Sequence, residues 1–237
     1  MTDVIVIGAG PAGVVAALRS AELGASTTLV ASGDFGGMAA NDGPVPVRTL
    51  AYAARLIRDA RQFSEYGLTT DQSILNYPRL LEHVTEVVSD VRSHSSLRLQ
   101  TDSLGVTLHE RAGKAHFLDA HTIETSSGLR LKAEKFIICT GGTSRRLPIP
   151  GFELTSTHSD AWRLTSVPPS ILVVGAGATG VQVASIFNDF GTRVQLFEAG
   201  PRIVPSEDVD VSAAVASAFR NSGMVVRENF GTIESFE

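Results

Sequence analysis

An internal repeat constrains this chain more than any other feature. Laid over itself with an offset of 167 residues, the sequence aligns without a gap from Val4 to Ala31. Val4-Ile5-Val6-Ile7 falls on Ile171-Leu172-Val173-Val174, and Gly8, Gly10 and Gly13 fall on Gly175, Gly177 and Gly180. Gly24 falls on Gly191, and Thr28-Leu29-Val30 falls on Gln195-Leu196-Phe197. Each copy therefore reads strand, glycine turn, helix, glycine stop, strand. Two such βαβ units predict an α/β chain with two Rossmann-like nucleotide-binding units.

The three glycines of each turn have different physical tasks. Gly8 and Gly175 permit the tight turn out of the strand. Gly10 and Gly177 let a pyrophosphate approach the backbone, and Gly13 and Gly180 let the helix pack closely on the strand. The phosphates then face the free N–H groups and the positive end of the helix, formed by Pro11-Ala12-Gly13 in one copy and Ala178-Thr179-Gly180 in the other. One such turn is a weak signal; two, each between a strand and a helix, are a strong one. The end of the second strand separates the copies. Glu198 stands where a carboxylate accepts the adenosine ribose hydroxyls, and it would repel a 2′-phosphate, so NADH is expected over NADPH. Its equivalent in the first copy is Ala31.

Composition removes several alternatives. A net charge of −5 leaves no electrostatic footprint for nucleic acid or an anionic membrane surface. The apolar N-terminus carries Asp3 where a signal peptide is basic. The apolar run 170–187 is interrupted by Gly175, Gly177, Gly180 and Gln182, which spoils it as a membrane span. Both runs are expected to be buried parallel strands entering helices. Cys139 is the one cysteine, so no intrachain disulfide forms and a cytoplasmic location is expected. Cys139 itself reads as a small core residue. His83, His94, His109, His116, His121 and His158 show no metal-like pairing, and Glu207-Asp208-Val209-Asp210 reads as a solvated helix start.

Between the repeats, the glycine loop Gly33-Asp34-Phe35-Gly36-Gly37 leads into a turn-rich stretch ending near Pro46. Helices are expected over Leu50–Phe63 and from Pro78 to about Arg92. Residues 97–138 read as short β-like runs, with Ser126-Ser127-Gly128 as a hairpin turn. Phe136-Ile137-Ile138-Cys139 is expected as a buried strand running into Thr140-Gly141-Gly142. A boundary lies in the Pro-rich passage from Leu147 to Pro169, giving a first domain over 1–150 and a second over 151–237.

On these motifs the chain resembles the flavoprotein pyridine nucleotide-disulfide oxidoreductases. The resemblance rests on Gly8–Gly13, Gly36-Gly37, Cys139-Thr140-Gly141, Pro148-Ile149-Pro150-Gly151 and the unit Gly175–Glu198. It implies a three-layer FAD/NAD(P)-binding fold with a β-meander insertion. It also implies FAD on Gly8, Gly10, Pro11, Ala12, Gly13, Gly36, Gly37, Thr140 and Gly141. NAD(P)H would then sit on Gly175, Gly177, Ala178, Thr179, Gly180 and Glu198.

Three departures from the family's pattern accompany it. The family's redox cysteine pair corresponds to Ala39 and Pro44, with Asn41, Gly43 and Pro46 holding the register, so thiol–disulfide exchange is excluded there. The lysine beside the flavin corresponds to Arg48, and its glutamate partner to Gln182. Arg48 keeps the charge but cannot release a proton, and is expected either to stabilise negative charge on reduced flavin or to be a solvated arginine at a helix start. The family's later motifs and its dimerisation domain are not found. The expected function is an FAD-dependent NAD(P)H oxidoreductase that passes hydride to flavin and electrons on to a small acceptor such as a quinone, a dye or oxygen. The alternative is a catalytically degenerate nucleotide-binding sensor or partner protein.

Overall fold

The structure is a computed structural model, and it describes residues 2–69 and 75–237. The chain clusters into two compact units: Met1–Pro46 with Thr85–Thr143, and Val47–Val84 with Ser144–Glu237.

The first unit is built on a six-stranded sheet in the order β3-β2-β1-β6-β5-β4. Its elements are β1 (Thr2–Ile7), α1 (Pro11–Glu22), β2 (Thr27–Val30), α2 (Gly37–Asn41) and the start of α3 (Pro44–Arg61), then the end of α4 (Tyr77–His94), α5 (Ser96–Ser103), β3 (Thr107–His109), β4 (Ala115–Asp119), β5 (Thr122–Thr125) and β6 (Arg130–Ile138). β1 pairs in parallel with β2 and β6, and β2 with β3; β4 and β5 add an antiparallel meander to the start of β6. β1 is buried on both faces because both are covered. Val6 packs with Val14, Leu18 and Leu29 under α1, while Ile5 and Ile7 pack with Ile123 and Ala133 on the meander side. A strand buried on both sides reads as an unbroken apolar run, as Val4–Ile7 does.

The second unit contains α6 (His158–Ala161), β7 (Ser170–Val174), α7 (Ala178–Asp189), β8 (Arg193–Phe197), α8 (Val209–Asn221) and β9 (Val225–Arg227), with a parallel sheet in the order β7-β8-β9. Most of α3 and the first turns of α4 belong with it. Arg58 donates to the Asp189 carboxylate (2.9 Å) and Arg61 to the Asp189 carbonyl (2.6 Å), so two cations close the C-terminal end of α7. Burial pushes the Asp189 carboxyl above its ordinary value against the pull of both arginines. The Tyr77 ring meets Phe190 edge-on at 5.9 Å. These contacts join residues 47–84 to the second compact unit.

The repeat is reproduced in detail. Both helices end on a left-handed glycine, Gly24 (φ 89°) and Gly191 (φ 95°). Each end is closed by the same pair of bonds, Gly24 N–H to Ala21 with Ala25 N–H to Ser20, and Gly191 N–H to Asn188 with Thr192 N–H to Phe187. The expected hairpin at 126–128 joins β5 and β6, with Ile123 opposite Leu131.

Other expectations need correction. The turn-rich stretch before Pro46 is helical: α2 spans Gly37–Asn41, and α3 starts at Pro44 rather than Leu50. Proline suits the first turn of a helix, where no backbone N–H is needed, so Pro44 and Pro46 open the helix instead of blocking it. Residues 96–103 form α5, not strand, capped by the Ser95 hydroxyl accepting from the Arg98 N–H (3.3 Å). Burial also falls short at two strands. Ile138 is 65% exposed, because the second half of β6 has β1 on one side and no strand on the other among the described residues. Leu172 is 67% exposed, because β7 is an edge strand with one face uncovered by the described residues. Among the described residues, no helix is long and apolar enough to cross a membrane.

Candidate nucleotide-binding sites

Both glycine turns lie at the carboxyl ends of parallel strands, where open α/β sheets bind their ligands. Gly8 leaves β1 with φ 110° and donates to the Val30 carbonyl (2.7 Å); Gly175 leaves β7 with φ 91° and donates to the Phe197 carbonyl (2.8 Å). The third glycines are demanded by packing. A Cβ on Gly13 would lie 1.7 Å from the Gly8 carbonyl oxygen, and one on Gly180 would lie 1.9 Å from that of Gly175.

The middle glycines are different. A Cβ on Gly10 or Gly177 would meet nothing within 4 Å, and their φ angles of −75° and −71° suit any residue. Among the described residues nothing requires glycine at either position. In a dinucleotide turn the middle glycine is the one that lets a pyrophosphate come close to the backbone. Neither helix has a side-chain N-cap bond, so the first-turn N–H groups of α1 and α7 stay available. Ala12 is exposed at the start of α1, and Ala178 and Thr179 at the start of α7; Pro11 gives α1 one N–H fewer.

The other first-site residues converge on the same turn. The Gly36 N–H donates to the Ala9 carbonyl (2.8 Å), and a Cβ on Gly37 (φ 54°) would lie 2.8 Å from the Gly10 Cα. Cys139 donates its N–H to Ile7 (2.8 Å), which brings Thr140 beside Gly8, with Gly141 next in the chain. Cys139 packs on the start of α1, near Gly13, as a half-buried residue at the edge of the core rather than a fully buried one. Residues 39 and 44 lie in α2 and at the start of α3; they are alanine and proline, without sulfur. Arg48 is exposed near the start of α3, and Gln182 is exposed on α7; neither makes a side-chain hydrogen bond among the described residues.

Glu198 and Ala31 differ as expected in chemistry. One Glu198 carboxylate oxygen accepts from the Ala176 N–H (2.8 Å) and the other from the Gly200 N–H (2.9 Å). A carboxylate has about four acceptor positions, so this brace orients it and leaves two for ribose hydroxyls. Ala31 is buried in the apolar cluster with Ala9 and Phe35 and offers no side-chain acceptor.

Sequence reasoning missed a second brace common to both units. Glu110, just after β3, accepts the Phe35 N–H (2.8 Å) from the loop after β2 and is paired with Arg98 of α5 (2.9 Å). Glu228, just after β9, accepts the Ile203 N–H (3.0 Å) from the loop after β8 and is paired with Arg220 of α8 (2.6 Å). The signal available in sequence was a carboxylate directly following the third strand of each unit. Unequal loop lengths, which break the 167-residue offset beyond Ala31, concealed it.

Burial alone would raise the Glu110 carboxyl. The Arg98 hydrogen bond, the Phe35 N–H and the Arg98 charge outweigh it and hold the group below its ordinary value of 4.5. A depressed carboxylate stabilises the fold fully above its unfolded value and loses that stabilisation as pH falls through the folded one. Glu110→Gln is therefore expected to cost about 1 kcal/mol at neutral pH. Urea unfolding of both proteins should show the gap closing on acidification below 4.5; a gap independent of pH would refute the electrostatic account. Among the described residues no group of three histidine, cysteine or acidic side chains could hold a metal ion. Asp208 caps α8 through the Asp210 N–H (2.8 Å), so the acidic run is a helix start.

Several known proteins are similar to this chain. The chain is 32% identical to dihydrolipoyl dehydrogenase of Zymomonas mobilis over 94% of its length and 48% of the relative's. It is 34% identical to dihydrolipoyl dehydrogenase 2 of Haloarcula marismortui over 97% of its length and 49% of the relative's. It is similar in structure to the HOCl-induced flavoprotein disulfide reductase RclA from Escherichia coli, with a TM-score of 0.77 and 27% identity over 98% of this chain and 50% of that one. The chain thus spans about half the length of the relatives it matches. The profile of one family, described as pyridine nucleotide-disulphide oxidoreductase, matches residues 2–233. That family's members use FAD and NAD(P)H. With both glycine turns in place and the match running almost end to end, the chain belongs to the pyridine nucleotide-disulphide oxidoreductase family.

Proposed function

We propose that this chain carries the FAD and NAD(P)H sites of an oxidoreductase that delivers electrons to a small acceptor, such as a quinone, without a cysteine relay. One observation carries the reading: two glycine turns shaped for a ligand stand on a chain whose α2–α3 loop has Ala39 and Pro44 and whose one cysteine, Cys139, packs against α1. Gly8, Gly10, Pro11, Ala12, Gly13, Gly36, Gly37, Thr140 and Gly141 would hold FAD. Gly175, Gly177, Ala178, Thr179, Gly180 and Glu198 would hold the nicotinamide nucleotide. Bound flavin supplies the two-electron chemistry, and the protein supplies orientation and electrostatics. The Arg48 guanidinium would hold negative charge on reduced flavin.

The test is spectroscopic. Purified protein should be yellow, and NADH added without oxygen should bleach it. A colourless protein, or bound flavin that NADH leaves oxidised, supports a nucleotide-binding module without turnover instead. The nucleotide preference has its own test. Glu198→Gln removes the charge that repels a 2′-phosphate, so the NADH-over-NADPH preference should fall by about tenfold, the effect of one charged contact. An unchanged ratio of dissociation constants would remove Glu198 from that role.

A further inference from the structure

The two glycine turns are braced from the following loop in the same way, but at unequal conformational cost. In each unit the loop after the second strand returns one N–H to the carbonyl of the alanine between the first two glycines. Gly36 donates to Ala9 (2.8 Å), and Val204 donates to Ala176 (2.7 Å). Both donors lie in the left-handed region, Gly36 at φ 89° and Val204 at φ 40°. Glycine adopts that region freely. A β-branched residue does not, and it persists there only where its surroundings over-determine it.

The surroundings of Val204 do this. The residue is buried, and the Ile203 N–H before it goes to Glu228 (3.0 Å), which Arg220 pairs at 2.6 Å. The Ser212 hydroxyl, buried on α8, donates to the Ile203 carbonyl (2.8 Å), with the Val204 carbonyl beside it at 3.3 Å. The Val204 N–H is the group this scaffold presents to the glycine turn. Its effect crosses the turn through one peptide plane. The Ala176–Gly177 peptide is trans, so its carbonyl and the Gly177 N–H point in opposite directions. Val204 takes that carbonyl, and Glu198 takes the N–H of the same alanine (2.8 Å). With both polar groups of Ala176 held, the direction of the Gly177 N–H is set.

We propose, on the reading of the second turn as the nicotinamide site, that Val204 is a positioning residue for the dinucleotide. Its left-handed backbone aims the Gly177 N–H through Ala176, and the Ser212 hydroxyl keeps it in that conformation. A donor already aimed at the start of α7 spares the ordering that a phosphate would otherwise impose on binding. The first unit reaches the same end with Gly36, which needs no such holding.

A double-mutant cycle read by fluorescence titration with NADH tests this, at a temperature where thermal unfolding shows every variant folded. With valine at 204, Ser212→Ala should weaken NADH binding by about tenfold, the worth of one buried hydrogen bond. FAD affinity, which depends on the first turn, should not move. In the Val204→Gly background the same Ser212→Ala change should cost little NADH affinity, because glycine holds a left-handed φ unaided. A merely structural Ser212 would lower the unfolding midpoint in both backgrounds and leave the NADH dissociation constant alone. Should Ser212→Ala not fold, Ser212→Cys, whose thiol is a poorer donor, makes the same comparison. Wild-type NADH affinity in the Ser212 variant, equal losses in the two backgrounds, or a parallel fall in FAD affinity would each overturn the proposal. A wild-type protein that binds no NADH would overturn the reading of the second turn, and the proposal with it.

Discussion

Gly10→Ala is expected to leave the first unit folded and to take away its nucleotide. The added methyl enters open space at an ordinary φ, so apo stability should change by no more than about 1 kcal/mol, the cost of a poorer residue at a helix N-cap. The same methyl stands where a pyrophosphate must approach the backbone. Flavin affinity should therefore fall by about a hundredfold or more, or roughly 3 kcal/mol. Fluorescence titration with FAD and thermal unfolding of the apoprotein give the two halves of the result. Gly177→Ala should behave likewise toward NADH, because Gly177 has the same open surroundings. Wild-type affinity in either variant would mean that the middle glycines do not face a ligand.

Gly13→Ala should do the reverse. Its Cβ would sit 1.7 Å from the Gly8 carbonyl oxygen, with the Cys139 Cβ close behind at 3.2 Å. Backbone on one side and packed core on the other leave no rotamer to relieve the clash, so α1 must lift off β1. Overpacking of this kind costs about 3 kcal/mol or more, a large part of the stability of a domain this size. The midpoint of urea unfolding should drop sharply in the absence of any nucleotide. The pair of variants separates two reasons for glycine within three residues of each other. If Gly13→Ala unfolds like wild type, the close contact of α1 with the turn is not as described.

Much of this site is legible in the glycine pattern. Spacing alone locates Gly8, Gly10 and Gly13, because each turn demands glycine for a local reason and the demand recurs 167 residues later. Glu198 and Ala31 are legible for the same reason: they follow a short strand at a fixed distance from the turn. The helix over 96–103 is not, since Leu97-Arg98-Leu99 alternates like a strand and only the Ser95 cap marks it otherwise. The start of α3 is hidden because Pro44 and Pro46 read as turn residues until their position in a first helical turn is known.

Strand burial shows the limit of composition. Apolar runs at Phe136–Cys139 and Ile171–Val174 predict interior strands, but burial depends on which neighbour covers each face. Ile138 and Leu172 remain exposed because that neighbour is not among the described residues. The Glu110 and Glu228 braces join residues 75 and 25 positions apart, and no local rule relates them. By itself, then, the sequence determined the two βαβ units, their glycines, the carboxylate that one has and the other lacks, and the presence of a single cysteine. These are short-range demands of backbone geometry and chemistry. Only the tertiary structure decided which glycines the fold itself demands and which it leaves open, and which helices accompany the second unit. Those outcomes depend on segments distant in sequence meeting in space.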